Sequence, residues 1–201
     1  MAVTSIKNKT KSGSLLVGNQ YYLPTDFESI ATVTVGSTSV STIQFSSLPT
    51  TYKHLQIRIS ARSAAASNYG NFYLTFNNDD GSGLWSSHNL RGNGTSVGST
   101  YHTNADIYWM TQYNGSIPGN NTTASIFGAV VIDIMDYTNT NKYKTLKSFY
   151  GFDLNGTASG TGELALTSGA YRSTSTPTSI ELVTGDLFKQ YSSFALYGIK
   201  G

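Results

Sequence analysis

Alternating apolar and polar positions recur along most of this chain. In residues 53–62 the two kinds of side chain take turns, with apolar Leu55, Ile57, Ile59 and Ala61 against polar His54, Gln56, Arg58, Ser60 and Arg62. Because successive side chains of a strand point to opposite faces, this pattern predicts a strand with one buried and one solvated face.

Similar segments predict further strands, near residues 29–35, 40–45, 72–76, 85–91, 105–112, 125–137, 142–152, 163–168, 178–184 and 192–200. The run from Ile126 to Met135 is almost continuously apolar, which is typical of a central strand covered on both faces. No segment keeps a 3.6-residue apolar period for three turns, so we expect very little helix. The chain is therefore predicted to be all-β, an antiparallel two-sheet sandwich of jelly-roll type with about ten strands.

The alternation also predicts the core of this sandwich. Its members are apolar residues on the buried faces of several strands: Ile57, Ile59, Leu74, Phe76, Val130, Ile132, Ile180, Leu182, Phe194 and Leu196. Val40–Phe45 is interpreted as the return strand of a hairpin, and Asn77–Gly83 as a hairpin turn. If Gly81 took the place of the invariant glycine of a calcium loop, Phe76 and Ser87 would fall at the essential ligand positions, so the turn is preferred.

Residues 1–26 differ from the rest of the chain. They carry Lys7, Lys9 and Lys11 with no acidic residue through position 11, followed by the apolar Tyr21 and Tyr22. We expect an extended N-terminal arm ahead of a sandwich domain over 27–201. Two readings stay open, a frayed solvated tail and a docking arm made of these five residues.

Composition limits the classes of partner. Only 12% of the 201 residues are charged, the formal net charge is +2, and there is no cysteine. A weakly charged chain of this kind is not expected to coat nucleic acid. No stretch approaches the roughly 18 apolar residues of a membrane-spanning helix, so we expect no membrane insertion.

No catalytic or metal-binding motif is present, and we expect no enzyme activity, metal or cofactor. The nearest signal is the carboxylate pair Asp133 and Asp136, whose spacing on a strand would direct the two side chains to opposite faces. Asp136 is predicted to end its strand, and Asp133 to need a structural partner. His54 lies on the solvated face of its strand, without a neighbouring nucleophile in the sequence.

A carbohydrate-binding surface is the main chemical candidate. Aromatic faces and directional polar groups mark such sites, and the segment from Trp85 to Tyr113 is rich in both. Within it, Trp85, Tyr108, Trp109 and Asp106 are the candidate ligand-binding residues. The alternative is that these aromatic residues are ordinary sheet residues at the edge of a core.

Four segments resemble a known family when they are taken together: FESIATVTVG at 27–36, YKHLQIR at 52–58, DYTNTNKYKT at 136–145 and YSSFALYGIK at 191–200. They are similar to virion structural proteins of tailed bacteriophages, many of them from aquatic and cyanobacterial phages. The resemblance implies a non-enzymatic virion component at the tail or tail fibre that attaches to the host. A capsid decoration protein is the alternative, and a polysaccharide-degrading enzyme is a more distant one.

The same resemblance implies the partners. These are other virion proteins and further copies of the chain in a homo-oligomer, expected to be a trimer. A host surface glycan is the partner expected for the segment from Trp85 to Tyr113. No catalytic residue or cofactor follows from the resemblance.

Overall fold

The computed structural model describes residues 15–17, 20–22, 26–79, 83–105, 108–109, 117–155 and 161–201. In this part of the chain there are sixteen strands and no helix. The strands are β1 (Leu15–Val17), β2 (Gln20–Tyr22), β3 (Phe27–Thr34), β4 (Val40–Phe45), β5 (His54–Ala61), β6 (Tyr69–Gly70), β7 (Phe72–Phe76), β8 (Trp85–Gly92), β9 (Val97–Ala105), β10 (Tyr108–Trp109), β11 (Ile117–Pro118), β12 (Gly128–Met135), β13 (Lys144–Asp153), β14 (Gly162–Tyr171), β15 (Ile180–Phe188) and β16 (Ser193–Ile199). Among these residues, no helix could cross a membrane.

Two antiparallel sheets form the body of the fold. The large sheet has the strand order β3-β16-β5-β12-β13-β14-β8-β9, and the small sheet has the order β10-β7-β15-β4. The pairs β1-β2 and β6-β11 form two further, minor sheets. Buried residues from both main sheets join in one apolar cluster, so the all-β sandwich predicted from the sequence is confirmed.

The predicted core is confirmed residue by residue, since all ten residues named for it are buried. Ile57 and Ile132 pair directly across β5 and β12, and Leu196 pairs with Ile57 from the other side. Leu74 and Leu182 form the corresponding pair across β7 and β15 in the small sheet. Cross-strand pairs of this kind are the unit from which a sheet gains stability.

Two predicted hairpins are instead connections between the sheets. β3 lies in the large sheet and β4 in the small one, while β7 lies in the small sheet and β8 in the large one. The loop after β7 is held by Asn77, whose Oδ1 accepts hydrogen bonds from the backbone N–H groups of Thr178 and Ser179 at 2.8 and 3.1 Å. Turn-forming residues therefore mark the right places, but the following strand pairs elsewhere.

Two expectations about burial are wrong. The apolar run 126–135 contains β12, which is central in the large sheet, yet Ala129 and Met135 on its outer face are exposed. Arg62 was expected on the solvated face, but it follows the end of β5 and is 4% exposed. Its guanidinium donates hydrogen bonds to the carbonyl oxygens of Thr122, Thr123 and Ile126, so it organises the loop before β12.

The large sheet divides into two sets of four neighbouring strands. We call β3, β16, β5 and β12 the charged half, and β13, β14, β8 and β9 the apolar half, after the side chains on their outer faces. The inner face of the sheet is the one directed toward the small sheet and the core. The two halves are joined by the pairing of β12 with β13 along Ala129–Met135.

Candidate interaction surface

In residues 163–167 of β14, the usual placement of polar and apolar side chains on the two faces is reversed. Leu164 and Leu166 point to solvent on the outer face, whereas Glu163 and Thr167 are buried on the inner face. Polar side chains commonly occupy the solvated face of an antiparallel sheet, and apolar ones the core face. Here the strand presents its leucines outward.

The two neighbouring strands show the same arrangement next to these positions. In β8, Ser87 and Asn89 are buried while Leu90 is exposed, and in β13, Ser148 is buried while Phe149 is exposed. The register aligns the outward residues, because Phe149 is paired with Leu166, and Leu166 with Leu90. Three exposed apolar side chains therefore lie side by side across three strands.

Further side chains enlarge this row into a patch, which we call the apolar face. It consists of six exposed residues, Leu90, Val97, Tyr101, Phe149, Leu164 and Leu166. Their exposed fractions range from 47% at Leu166 to 79% at Val97. Side chains of this size and exposure present together on the order of 600 Å² of apolar surface, the upper end of the roughly 300–600 Å² of the largest patch on a typical monomer.

Two shallow grooves cross the apolar face. One of about 470 Å³ is bordered by His88, Tyr101 and Leu166, and another of about 230 Å³ by Val97, Phe149 and Leu164. The rings of His88 and Tyr101 stack with their centroids 6.0 Å apart. A surface with this relief can seat apolar side chains of another molecule.

Beneath the apolar face lies a buried polar network. Tyr150 donates a hydrogen bond to Glu163 at 2.6 Å, and Arg91 donates one to the other carboxylate oxygen at 3.2 Å. Burial raises the pKa of Glu163, while the contacts with Tyr150 and Arg91 act in the opposite direction. Burial also raises the pKa of Tyr150 above its ordinary value. This network joins β8, β13 and β14 by side-chain contacts.

A second buried polar row runs parallel to it. Asn89 donates a hydrogen bond from Nδ2 to Oγ1 of Thr167 at 2.8 Å, and Ser148 is paired with Thr167 from β13. These three side chains lie directly behind the outward Leu90, Leu166 and Phe149. At this row the apolar half therefore has polar side chains inside and apolar side chains outside, while elsewhere β13 buries Leu146 and exposes Lys147.

Trp85 is not part of any exposed surface, so its assignment as a ligand-stacking residue is wrong. It is fully buried and packs against Tyr171 and Phe76, with ring centroids 4.5 and 5.4 Å away. Trp85 shares the inward parity of Ser87 and Asn89, at the end of β8 where the aromatic residues of the core can cover it. It is a core residue.

The other glycan candidates are only partly described. Tyr108 and Trp109 form β10, an edge strand of the small sheet, where they pair with Leu74 and Tyr73. Asp106 lies outside the described residues. β10 and the apolar face are thus in different sheets.

The five candidate residues of the N-terminal segment are also only partly described. Lys7, Lys9 and Lys11 lie outside the described residues, whereas Tyr21 and Tyr22 belong to β2, which pairs with β1. A short hairpin therefore occupies part of the segment that we expected to be an extended arm.

The two carboxylates singled out in the sequence have structural partners. Asp133 accepts a hydrogen bond from Gln56 at 2.7 Å and lies 3.4 Å from Nζ of Lys147. Asp136 directly follows β12 and has a φ of 47°, so it ends the strand as predicted. Its carboxylate pairs with Lys142, which lowers its pKa.

His54 contacts the turn at Asp136. Its Nδ1 accepts a hydrogen bond from the backbone N–H of Asp136 at 2.9 Å, which fixes the turn that follows β12. Among the described residues, no group of three histidine, aspartate or glutamate side chains is arranged to hold a metal ion.

The apolar face is the feature that sequence reasoning missed. A signal was present, because GELALT at 162–167 places leucines and polar residues on alternate positions. The alternation predicts a strand but leaves open which of its two faces meets the core.

The chain matches no protein-family model, no curated protein and no solved structure.

Proposed function

We propose that this chain is a non-enzymatic structural protein of a tailed-phage virion, acting at the tail or tail fibre in attachment to the host. The single observation that carries the proposal is the apolar face. A domain that exposes apolar surface of this extent in one patch gains stability when another protein covers it. That is the property of a building block of an assembly.

The placement of the four family-like segments supports the proposal. The segments at 27–36, 52–58 and 191–200 contribute β3, β5 and β16, and the segment at 136–145 follows β12. These strands are neighbours and form the charged half of the large sheet. The resemblance therefore falls on one continuous part of the fold rather than on scattered loops.

Contacts between these segments strengthen that point. Tyr52 donates a hydrogen bond to Glu28 at 2.7 Å, and Lys200 lies 2.6 Å from the other oxygen of Glu28. The contact between His54 and Asp136 joins the fourth segment, 136–145, to the segment 52–58. The four segments are thus tied together by their own polar side chains.

We also propose jelly-roll connectivity for the main sheets. The order β3-β16-β5-β12 in one sheet, facing β10-β7-β15-β4 in the other, follows from two interleaved Greek keys. In this description, β13-β14 and the β8-β9 hairpin extend one sheet of the jelly roll by four strands. Jelly rolls are used in viral capsid and lectin domains, which suits a virion component.

Attachment to the host would use the β10 edge rather than Trp85. Tyr108, Trp109 and Asp106 remain the proposed glycan-contacting residues. Adjacent residues of a strand face opposite ways, so one of Tyr108 and Trp109 serves as the stacking ring. One such stack contributes about 1–3 kcal/mol by analogy with nucleobase stacking, so several copies must act together.

The location in the particle is tested by quantitative mass spectrometry of purified virions of the phage that encodes this chain. A tail component is expected in a few to tens of copies that copurify with isolated tails. Hundreds of copies on the heads would replace the proposal with capsid decoration, and absence from the particles would overturn both.

The attachment role is tested on a glycan array with the intact oligomer. Trp109→Ala or Tyr108→Ala is expected to abolish binding to a host-derived glycan. Tyr191→Ala is the matched control, because Tyr191 is an exposed tyrosine outside this region. Binding untouched by both substitutions would remove the β10 site.

Enzyme activity is tested by adding the protein to host capsule and following viscosity. We expect no change. A fall in viscosity that is lost on substitution of Asp106 or Asp133 would make the protein a polysaccharide-degrading enzyme.

The docking role of the N-terminal segment is tested by deleting residues 1–24, including Lys7, Lys9, Lys11, Tyr21 and Tyr22. The remaining domain is expected to fold and to be missing from particles. Normal incorporation of the truncated protein would contradict the docking role.

A further inference from the structure

We propose that two copies of this chain associate through their apolar faces, with a two-fold axis passing through the row formed by Leu90, Leu166 and Phe149. The inference rests on the proposed function only in that it names the surface through which copies of a virion component meet. It differs from the trimer expected from the sequence.

The first reason is the row of apolar side chains that point outward from the apolar half. β8, β13 and β14 all turn apolar side chains outward while Ser148, Thr167 and Asn89 are buried behind them. Three outward apolar side chains aligned on three adjacent strands form a continuous row rather than a chance exposure of single leucines. This row, rather than the whole outer face, has the composition of an interface core.

The continuity of this surface with β12 is the second reason. The apolar run 126–135 has the composition of a strand covered on both faces, yet Ala129 on the outer face is exposed. Val131, two residues along on the same face, is paired with Phe149 of the apolar face. A second copy that covers the row through Phe149 also covers this part of β12.

The charges around the apolar face point to a second copy as the occupant. Arg91 is paired with Glu163, and Lys147 with Asp133, within the same chain. Each of these pairs is neutral, so neither adds net charge that would attract a strongly acidic or basic partner. An identical apolar surface needs no such attraction, because an isologous contact places the same patch on both sides.

The area of the apolar face is consistent with a second copy of the chain as its occupant. A stable interface buries roughly 800 Å² on each partner. The apolar face supplies on the order of 600 Å² by itself, and the side chains at its rim, such as His88 and Ser99, supply more. Two faces of this size are sufficient for a specific dimer.

A two-fold axis follows from the number of apolar patches. A three-fold contact joins two different surfaces of each copy, so it needs a second patch that complements the first. In the described part of the chain, the other large exposed apolar residues are distributed over β3, β12, β15 and two loops: Phe27, Met135, Leu187, Tyr143 and Tyr191. Phe27 is already stacked on Tyr197 at 4.8 Å.

The first test measures the mass of the purified full-length chain by sedimentation equilibrium over a range of concentrations. The wild-type chain is expected to be a dimer. Leu166→Lys and Leu90→Lys are each expected to weaken the association by at least about 100-fold, because two-fold symmetry introduces each change twice. Both residues are about half exposed in the single chain, so the variants are expected to stay folded, which circular dichroism checks.

Leu187→Lys is the matched control. Leu187 is 41% exposed, close to the 47% of Leu166, but lies at the end of β15 in the small sheet. This variant is expected to dimerise like the wild type. A monomeric wild-type chain, a trimer, or equal effects of Leu187→Lys and Leu166→Lys would each overturn the proposal.

The second test uses the absence of cysteine from the chain. Single substitutions Leu166→Cys, Leu90→Cys and Phe149→Cys place one thiol near the proposed axis. Mild oxidation or a short bismaleimide is expected to link two copies through at least one of these positions, and Leu187→Cys is expected to stay unlinked. Absence of any link from all three positions would overturn the two-fold contact.

Deletion of residues 1–24 tests whether the N-terminal segment of a neighbouring copy, rather than its apolar face, covers the apolar face. The truncated protein is expected to dimerise as the full chain does. If deletion dissociates the dimer, and a cysteine at Leu166 crosslinks to one placed at Tyr21, the N-terminal segment of the neighbour covers the apolar face and the face-to-face contact is wrong. These tests use purified protein, so they can fail while particle mass spectrometry still supports the virion role.

Discussion

The two halves of the large sheet cover their outer faces by different means. In the charged half, the Arg58 guanidinium lies 5.2 Å from the ring centroid of Phe27 and 5.4 Å from that of Tyr197, and Gln56 contacts both Arg58 and Asp133. In the apolar half, leucine, valine and aromatic side chains face solvent, and the polar side chains of Asn89, Ser148 and Thr167 are buried behind them.

The difference shows which half is complete in a single chain. Long polar side chains can cover apolar rings and still meet water, so the outer face around Arg58, Phe27 and Tyr197 is covered within the single chain. The leucines of the apolar half cannot do this. The surface proposed to meet a second copy lies on the apolar half.

The largest effect is expected at the junction of the two halves, on the inner face of β12. Ile132→Ala is expected to lower the free energy of unfolding by about 2–5 kcal/mol, because it leaves a cavity in a fully buried site. Val131→Ala, one residue earlier and directed outward, is expected to cost at most about 1 kcal/mol. Urea denaturation at a concentration where the chain is monomeric measures both. Equal losses would contradict the one-sided core.

The next largest loss of stability is expected for a substitution of Gly198, in the charged half. A Cβ added at Gly198 would lie 2.3 Å from the ring of Tyr52, so Gly198→Ala is expected to destabilise the fold by about 1–3 kcal/mol. In the apolar half, a Cβ at Gly151 would meet the end of the Leu164 side chain at 3.1 Å, which can move, and the backbone oxygen of Glu163 at 3.4 Å, an ordinary contact. Thermal unfolding of the two variants is therefore expected to differ, and a larger loss for Gly151→Ala would reverse the comparison.

Surface substitutions sharpen the contrast between the outer faces. Arg58→Ala is expected to cost about 1 kcal/mol, because it removes cation–π contacts with two rings. Leu166→Ser is expected to change the stability of the monomer by no more than about 0.5 kcal/mol. Arg58→Lys keeps the charge without the planar group, and should fall between wild type and Arg58→Ala. If Leu166→Ser cost more than Arg58→Ala in the monomer, the apolar face would be part of the single-chain core.

The smallest effect concerns the pH dependence of the buried network. Because the pKa of Glu163 is raised in the folded chain, the folded state keeps this proton to higher pH than the unfolded state. The contribution of Glu163 to stability therefore falls as pH rises from its ordinary pKa through its folded pKa, and then levels off. The stability of wild type relative to Glu163→Gln should decline over that window in urea titrations.

The carboxylates of the charged half provide the contrast to this pH effect. The pKa of Glu28 is lowered by its contacts with Lys200 and Tyr52, so its contribution is present above the ordinary pKa of glutamate and is lost as pH falls. The stability of wild type relative to Glu28→Gln should therefore change with pH in the opposite direction. The same direction for both variants would contradict the assignment of the two environments.

The sequence by itself determined the fold class and the core. Period-two alternation is a local property, so it identified β5 with its buried face and all ten core residues named from it. Asp136 could be placed at the end of β12 for the same reason, since strand ends and turn residues are adjacent in the chain.

Only the tertiary structure decided which strands pair and which faces are covered. The return of β4 and β8 to the opposite sheet depends on contacts between residues far apart in the chain, and turn residues do not encode them. Alternation separates the two faces of β14 without saying which one meets the core, so the outward Leu164 and Leu166 could not be predicted. Trp85 was misplaced for the same physical reason, since burial of an aromatic side chain depends on the strands that pack over it.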